Sequence, residues 1–212
     1  GSDPFKGDVA IENGIIKEIG NVKNNYINEV DAKGNILAPG FIDIHTHFDP
    51  QLCWDGYATP SIEHGVTTVV TGNCSLSLAP IKNGGQDKII SMFQVIEDIK
   101  KPTFDAAVPF SWETFGEYLD HIKPTLGINV GALIGHSAVR LYVMGEDSQK
   151  RKATDEEIKE MCDIVEKSME DGALGVSSSY VDVDENFDPV PSRFSCKKEK
   201  IELARAATKT GR

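Results

Sequence analysis

The stretch that decides the fold is Pro39-Gly40-Phe41-Ile42-Asp43-Ile44-His45-Thr46-His47. A short apolar run that follows a Pro-Gly turn is typical of a buried strand. Alternate residues of a strand point to the same side, so the two histidines present their imidazoles about 7 Å apart along one face. Parallel α/β folds assemble their sites where such strands end. Two readings follow from the residues: two ligands of one metal ion, or two hydrogen-bonded structural histidines.

Beyond Gly40, predicted strands alternate with predicted helices. The strands lie at 41–44, 66–70, 128–134 and 173–176, and the amphipathic stretches lie at 87–100, 111–123, 154–171 and 201–207. This alternation is typical of right-handed βαβ units on a parallel sheet. We therefore predict an α/β fold with four core strands. A short helix that begins at the N-cap Thr59 and ends at Gly65 is also predicted.

The helix at 154–171 has the clearest signal. Thr154 and Glu157 have the spacing of a capping box. Apolar residues then recur at helical spacing: Ile158, Met161, Cys162, Val165 and Met169. The pattern stops at Gly172 and predicts a helix with one buried face.

The first forty residues have a different pattern, with short alternating stretches separated by turn residues. Two alternating stretches, 8–12 and 15–19, flank Asn13-Gly14, which is a strong signal for a β-hairpin. Further extended stretches at 27–32 and 35–37 indicate a small antiparallel sheet. We predict two domains, at 1–38 and 39–212.

Composition excludes several classes of function. The 212 residues include 22 Lys and Arg against 33 Asp and Glu, a net charge of −11. Such acidity argues against nucleic acid and anionic membrane as partners, because both recruit clustered basic residues. We find no apolar run long enough to span a bilayer and no signal-peptide pattern at the start. We therefore expect a cytoplasmic protein.

Polar residues that follow the later strands are further candidates. Cys74 follows the second strand and is either a metal ligand or a small core residue. Arg140 follows the third strand and either binds a substrate carboxylate through two hydrogen bonds or forms a surface ion pair. His136 either orients a ligand or substrate or is a hydrogen-bonded structural histidine. Tyr180 follows the fourth strand and is a candidate for lining the pocket.

These motifs resemble those of a known family. The stretch 39–49 is similar to the first barrel strand of the amidohydrolase superfamily, which carries two metal-binding histidines there. The stretch 65–74, which ends in Gly72-Asn73-Cys74, is similar to the N-acyl-D-amino-acid deacylases (D-aminoacylases), where a cysteine after the second strand binds the metal. Motifs at 135–145 and 172–177 also resemble that family.

The resemblance implies a fold and a reaction. The fold is about four βα units of a partial TIM (β/α)8 barrel at 39–212, preceded by a small β-sandwich segment at 1–38. The reaction is the zinc-dependent hydrolysis of a small-molecule N-acyl-D-amino acid to a D-amino acid and a carboxylate. The implied ligands of one or two Zn²⁺ ions are His45, His47 and Cys74. The implied substrate contacts are Arg140, Tyr180 and His136.

D-aminoacylases carry two more metal-binding histidines and an aspartate general base in later strands. We therefore expect the general base to lie beyond residue 212 and the isolated chain to be inactive. Two alternatives remain open. One is a cyclic amidohydrolase of the hydantoinase or dihydroorotase type, and the other is a non-catalytic half-barrel fragment or subunit. An open half-barrel exposes sheet edges and apolar surface, which favours self-association.

Overall fold

The computed structural model describes residues 3–23 and 26–210. The chain divides into two compact units, Gly1–Pro39 and Gly40–Arg212. This division lies one residue from the predicted domain boundary. The outer ends of the predicted domains, residues 1 and 212, lie outside the described residues.

The first unit contains the predicted β-hairpin. Strand β1 (Asp8–Glu12) pairs antiparallel with β2 (Ile15–Gly20). The two turn residues, Asn13 and Gly14, have positive φ angles of 52° and 73°. Asn-Gly favours this geometry because a two-residue hairpin turn needs positive φ at both central positions.

The prediction of two further strands in this unit, at 27–32 and 35–37, is wrong. The described residues from 26 to 39 include a turn at Lys33-Gly34 and no strand. Within the described part of the chain, Ile27 is 100% exposed and Val30 is 90% exposed, so little packs against their side chains. An extended stretch forms a stable strand only where a neighbouring strand pairs with it and one face is covered.

The second unit contains a parallel sheet. Strands β3 (Phe41–Asp43), β4 (Val66–Thr71) and β5 (Asn129–Ala132) are hydrogen-bonded in that order. One residue after β5, β6 (Ile134–Gly135) begins, and it pairs in parallel with β7 (Val176–Ser177). The predicted α/β fold is confirmed, and the carboxyl ends of successive strands face the same edge of the sheet.

Helices connect these strands. The α-helices are α1 (Gln86–Ile96), α2 (Lys101–Ala107), α3 (Phe115–Ile122), α4 (His136–Met144), α5 (Asp155–Asp171) and α6 (Lys197–Thr208). Short 3₁₀ turns lie at Gln51–Cys53, Ser61–His64, Lys123–Thr125, Gly145–Gln149 and Pro191–Phe194. Within the described residues, none of the helices has both the length and the apolar character needed to cross a bilayer.

The helix predicted at 59–65 is shorter than expected and has a different start. It is a 3₁₀ turn, Ser61–His64, and Thr59 does not cap it. The carboxylate of Asp55 accepts hydrogen bonds from both the amide and the hydroxyl of Thr59, at 2.8 and 3.4 Å. Gly65 ends the turn as predicted, with a left-handed φ of 85°.

Helix α5 confirms the capping box. The Thr154 hydroxyl accepts from the Glu157 amide at 3.3 Å, and the Glu157 carboxylate accepts from the Thr154 amide at 2.7 Å. Ile158, Met161 and Val165 of the predicted apolar face are buried. The helix therefore covers the core with its one apolar face.

Replacing Thr154 with alanine is expected to lower the free energy of unfolding by about 1 kcal/mol, because the first turn of α5 loses its cap. Urea unfolding measures the change. Lys159, an exposed residue of the same helix, provides the control, and its alanine variant should change stability by less than about 0.5 kcal/mol. Equal effects of the two substitutions would contradict the capping role.

Candidate metal centre

His45 and His47 lie just after β3, which ends at Asp43. Between them, Thr46 donates its amide and its hydroxyl to the carbonyl of Val70, at 3.0 and 2.9 Å. This pairing keeps the segment aligned with β4 beyond the end of the strand, so the residues on either side of Thr46 share one side. The two imidazole centroids are 5.5 Å apart.

Cys74 lies in a tight turn that follows β4. Gly72, Cys74 and Ser75 have φ angles of 75°, 53° and 68°. Glycine is required at position 72, because a Cβ there would lie 1.9 Å from the carbonyl oxygen of Leu133. The left-handed conformation costs about 1–2 kcal/mol for each of the other two residues. Contacts from the surrounding strands must offset this cost.

The fold brings the three predicted ligands together. Nε2 of His45 lies 3.2 Å from Sγ of Cys74, and His45, His47 and Cys74 each offer a ligand atom within 4.8 Å of the others. Nδ1 of His47 is buried and has no hydrogen-bond partner in the described part of the chain. Two imidazoles and a thiolate are ordinary zinc ligands. The donor set therefore fits zinc.

Nearby carboxylates make this cluster suitable for a cation. Oε1 of Glu97 lies 4.0 Å from Nε2 of His47. Burial raises the pKa of the Cys74 thiol, and the charges of Asp182 and Glu97 raise it further. Burial lowers the pKa of His47, with His45 acting in the same direction and Asp182 opposing it. A divalent cation reverses the effect on the thiol, because a coordinating thiol is deprotonated.

Asp49 and Glu97 were not identified from the sequence as part of this region. Asp49 is buried, and its Oδ2 accepts the amide of Gly72 at 3.0 Å. Burial raises the pKa of Asp49 to about 7. The signal for Asp49 was its place two residues after His47 in the same motif. Glu97 follows the last residue of α1, and no local pattern indicates its position.

Arg140 forms a buried ion pair, whereas the sequence predicted either a substrate contact or a surface ion pair. Its side chain is fully buried, and Nη1 donates to both carboxylate oxygens of Glu199 at 2.6 Å. Nη2 donates to the carbonyls of Ser148 and Arg151, each at 3.0 Å. A buried guanidinium needs such partners because an unpaired charge in the interior is costly. Arg140 joins α4 to α6 inside the protein, and its buried partners give no support to a substrate contact.

His136 belongs to the same buried network. Its Nε2 lies 2.7 Å from Oε1 of Glu199, and its Nδ1 lies 3.1 Å from Oγ of Ser178. Burial lowers the pKa of His136, although Glu199 opposes this effect. Burial raises the pKa of Glu199, but hydrogen bonds from His136 and Arg140 outweigh it and hold that pKa below its ordinary value. Of the two readings left open by the sequence, the structure matches the hydrogen-bonded structural histidine.

Tyr180 is exposed on the surface. The residue is 74% exposed, and Nζ of Lys200 lies 4.1 Å from the ring centroid. Asp182, two residues later, acts electrostatically on both His47 and Cys74. A contact between Tyr180 and substrate stays a prediction.

Comparison with known proteins identifies the family of the chain. The family model described as "Amidohydrolase family" matches residues 28–207. The chain is 35% identical to the D-aminoacylase of Alcaligenes xylosoxydans xylosoxydans over 208 residues, which cover 97% of this chain and 39% of that enzyme. The chain therefore spans about two fifths of that relative's length.

Two solved structures have a similar fold. The first is a D-aminoacylase structure that is described by its binuclear metal centre, with a TM-score of 0.77 at 30% identity. The match covers 97% of this chain and 40% of the D-aminoacylase chain. The N-acyl-D-glutamate deacylase of Bordetella bronchiseptica, complexed with zinc and a phosphonate inhibitor, has a TM-score of 0.72 at 28% identity with the same coverage of 97% and 40%. The chain belongs to the amidohydrolase family and resembles D-aminoacylase.

Proposed function

We propose that this chain forms the first part of a zinc-dependent hydrolase that converts an N-acyl-D-amino acid and water to a D-amino acid and a carboxylate. The observation that carries the proposal is the cluster of His45, His47 and Cys74, whose ligand atoms lie within 4.8 Å of one another. The similarity to D-aminoacylase and to N-acyl-D-glutamate deacylase supports the substrate class.

The proposed architecture is a partial TIM (β/α)8 barrel at 39–212, preceded by a β-sandwich segment at 1–38. The parallel order β3-β4-β5 and the parallel pair β6-β7 support a barrel that is built strand by strand. Strand β3 is an edge of its sheet, and Phe41, Ile42 and the adjacent Ile44 are 70%, 64% and 73% exposed. Apolar side chains on a sheet edge favour an edge that is covered in the complete protein. We propose that further barrel strands cover it.

In this proposal the chain's own residues hold one or two zinc ions. The imidazoles of His45 and His47 and the thiolate of Cys74 would bind the metal. When bound, zinc supplies Lewis acidity that polarises the amide carbonyl and lowers the pKa of water. The carboxylates of Glu97 and Asp182 would add negative charge around the cation.

Amide hydrolysis also needs a base that takes the proton of water and passes it to the leaving amine. We place this base beyond residue 212. The chain covers only 39% of D-aminoacylase, so most of such an enzyme has no counterpart in these residues. The alternative within the chain is Glu97, whose carboxylate lies 4.0 Å from His47.

Turnover assays test the function. The 212-residue chain is expected to bind zinc and to leave N-acetyl-D-amino acids intact. The same chain expressed with the coding sequence that flanks it should release the D-amino acid, and it should spare N-acetyl-L-amino acids, hydantoin and dihydroorotate.

Two results would contradict parts of this proposal. Turnover by the 212-residue chain that a chelator abolishes would place the base within these residues, and Glu97→Gln would show whether Glu97 supplies it. Hydrolysis of hydantoin or dihydroorotate in place of N-acyl-D-amino acids would favour the cyclic amidohydrolase.

Light scattering tests self-association, because a monomeric chain would contradict pairing through the exposed edge.

A further inference from the structure

The turn that carries Cys74, residues 72–75, is called the cysteine turn below. Cys74 and Ser75 have φ angles of 53° and 68°, a conformation that residues with a side chain rarely adopt. Such conformations persist only where the surrounding structure over-determines them. The contacts that hold the cysteine turn therefore decide where the thiol of Cys74 lies.

The hydroxyl of Ser177 contacts both ends of the cysteine turn. It accepts the amide of Ser75 at 3.0 Å and donates to the carbonyl of Gly72. Ser177 is the last residue of β7 and pairs in register with Gly135. One side chain from a distant strand thus bridges the first and last residues of the turn.

Other contacts hold Ser75 and Asn73 of the turn. Ser75 is fully buried, its hydroxyl lies 2.7 Å from that of Ser137, and its carbonyl accepts the Ser137 amide at 3.0 Å. On the opposite side, the side chain of Asn73 donates to the carbonyl of Thr46 at 3.2 Å. Since Thr46 lies between the two histidines, this contact ties the turn to the segment that carries them.

We propose that Ser177 is a positioning residue for the metal centre. Its hydroxyl keeps the cysteine turn in the left-handed conformation that places Sγ of Cys74 3.2 Å from Nε2 of His45. Without this hydroxyl, the amide of Ser75 and the carbonyl of Gly72 lose a shared partner, and the position of the thiol is less firmly fixed. The inference rests on the metal site proposed above.

Cobalt binding tests the inference without any assay of activity. Co²⁺ takes the same nitrogen and sulfur ligands as zinc, and a thiolate ligand gives it a charge-transfer absorption band. Ser177→Ala is expected to weaken Co²⁺ binding about 10–100-fold, as losses of outer-shell hydrogen bonds commonly do. The thiolate band should also be weaker at equal cobalt occupancy. Ser177→Thr, which keeps the hydroxyl, should restore both.

Ser168 provides a matched control. Its hydroxyl donates to the carbonyl of Ile164 within α5 at 2.8 Å, so Ser168→Ala removes a comparable hydrogen bond away from the turn. Unchanged cobalt affinity in Ser177→Ala, or an equal loss in Ser168→Ala, would overturn the proposal. If the unchanged chain binds no cobalt, the metal site itself is wrong, and that result is distinct from the failure of Ser177 alone.

A measurement on the unchanged chain covers the case in which Ser177→Ala does not fold. The amide of Ser75 should be protected from hydrogen exchange in the metal-free protein, because it donates to Ser177. Exchange at the rate of an unstructured amide would show that the bond does not form and would overturn the inference.

Discussion

Replacing Cys74 with alanine is expected to weaken zinc binding by more than about 100-fold, since loss of a hydrogen-bonding residue outside the ligands already costs 10–100-fold. The substitution removes the one sulfur from the donor set that surrounds the site. Two imidazoles remain, and zinc sites in proteins normally have at least three protein ligands. A competition titration against a chromophoric chelator measures the change.

Cys162 is the matched control for this experiment. It is also a free and partly buried cysteine, but it lies on α5 and belongs to the core-facing side of that helix. Cys162→Ala should change the zinc affinity by less than about twofold. This change is much smaller than the roughly 10–100-fold loss that follows removal of a hydrogen-bonding residue outside the ligands. Unchanged zinc content in Cys74→Ala would remove the main support for a site of the deacylase type.

Replacing Glu199 with alanine is expected to lower the free energy of unfolding by about 3–5 kcal/mol. The substitution leaves the guanidinium of Arg140 buried without its carboxylate, and Arg140 and Glu199 are both 0% exposed. It also removes the partner of Nε2 of His136. Urea unfolding of the metal-free chain measures the loss, so zinc binding does not mask it.

Glu202 is the control on the same helix. Its carboxylate pairs with Arg205 at 2.7 Å near the surface of α6, and exposed pairs of this kind contribute about 0–1 kcal/mol. Glu202→Ala should therefore have a small effect. Similar losses in Glu199→Ala and Glu202→Ala would show that the buried ion pair does not stabilise the fold in the way its geometry indicates. Such a result would reopen the substrate role for Arg140.

Short-range patterns in the sequence predicted the elements that depend on neighbouring residues. Asn13-Gly14 predicted the hairpin because its backbone conformation is set within the turn itself. Thr154 and Glu157 predicted the start of α5 because each side chain bonds the amide of the other. The spacing of His45 and His47 also predicted a shared direction, although β3 ends before them and pairing of Thr46 with Val70 maintains the alignment.

Long-range contacts decided the rest. Arg140 has the same local sequence whether it faces a substrate or a buried carboxylate, and its partner Glu199 lies on a helix far along the chain. The stretch 27–32 was predicted to be extended, but no neighbouring strand pairs with it among the described residues.

The sequence by itself determined the family, the alternation of strands and helices, and the residue types of the candidate metal cluster. Only the tertiary structure decided which polar groups meet. Cys74 lies near the histidines because β3 and β4 are adjacent, and its turn is held by Ser177 from β7. The physical reason is that turns and caps are stabilised within a few residues, whereas buried charges and strained turns require partners that chain folding brings from distant positions.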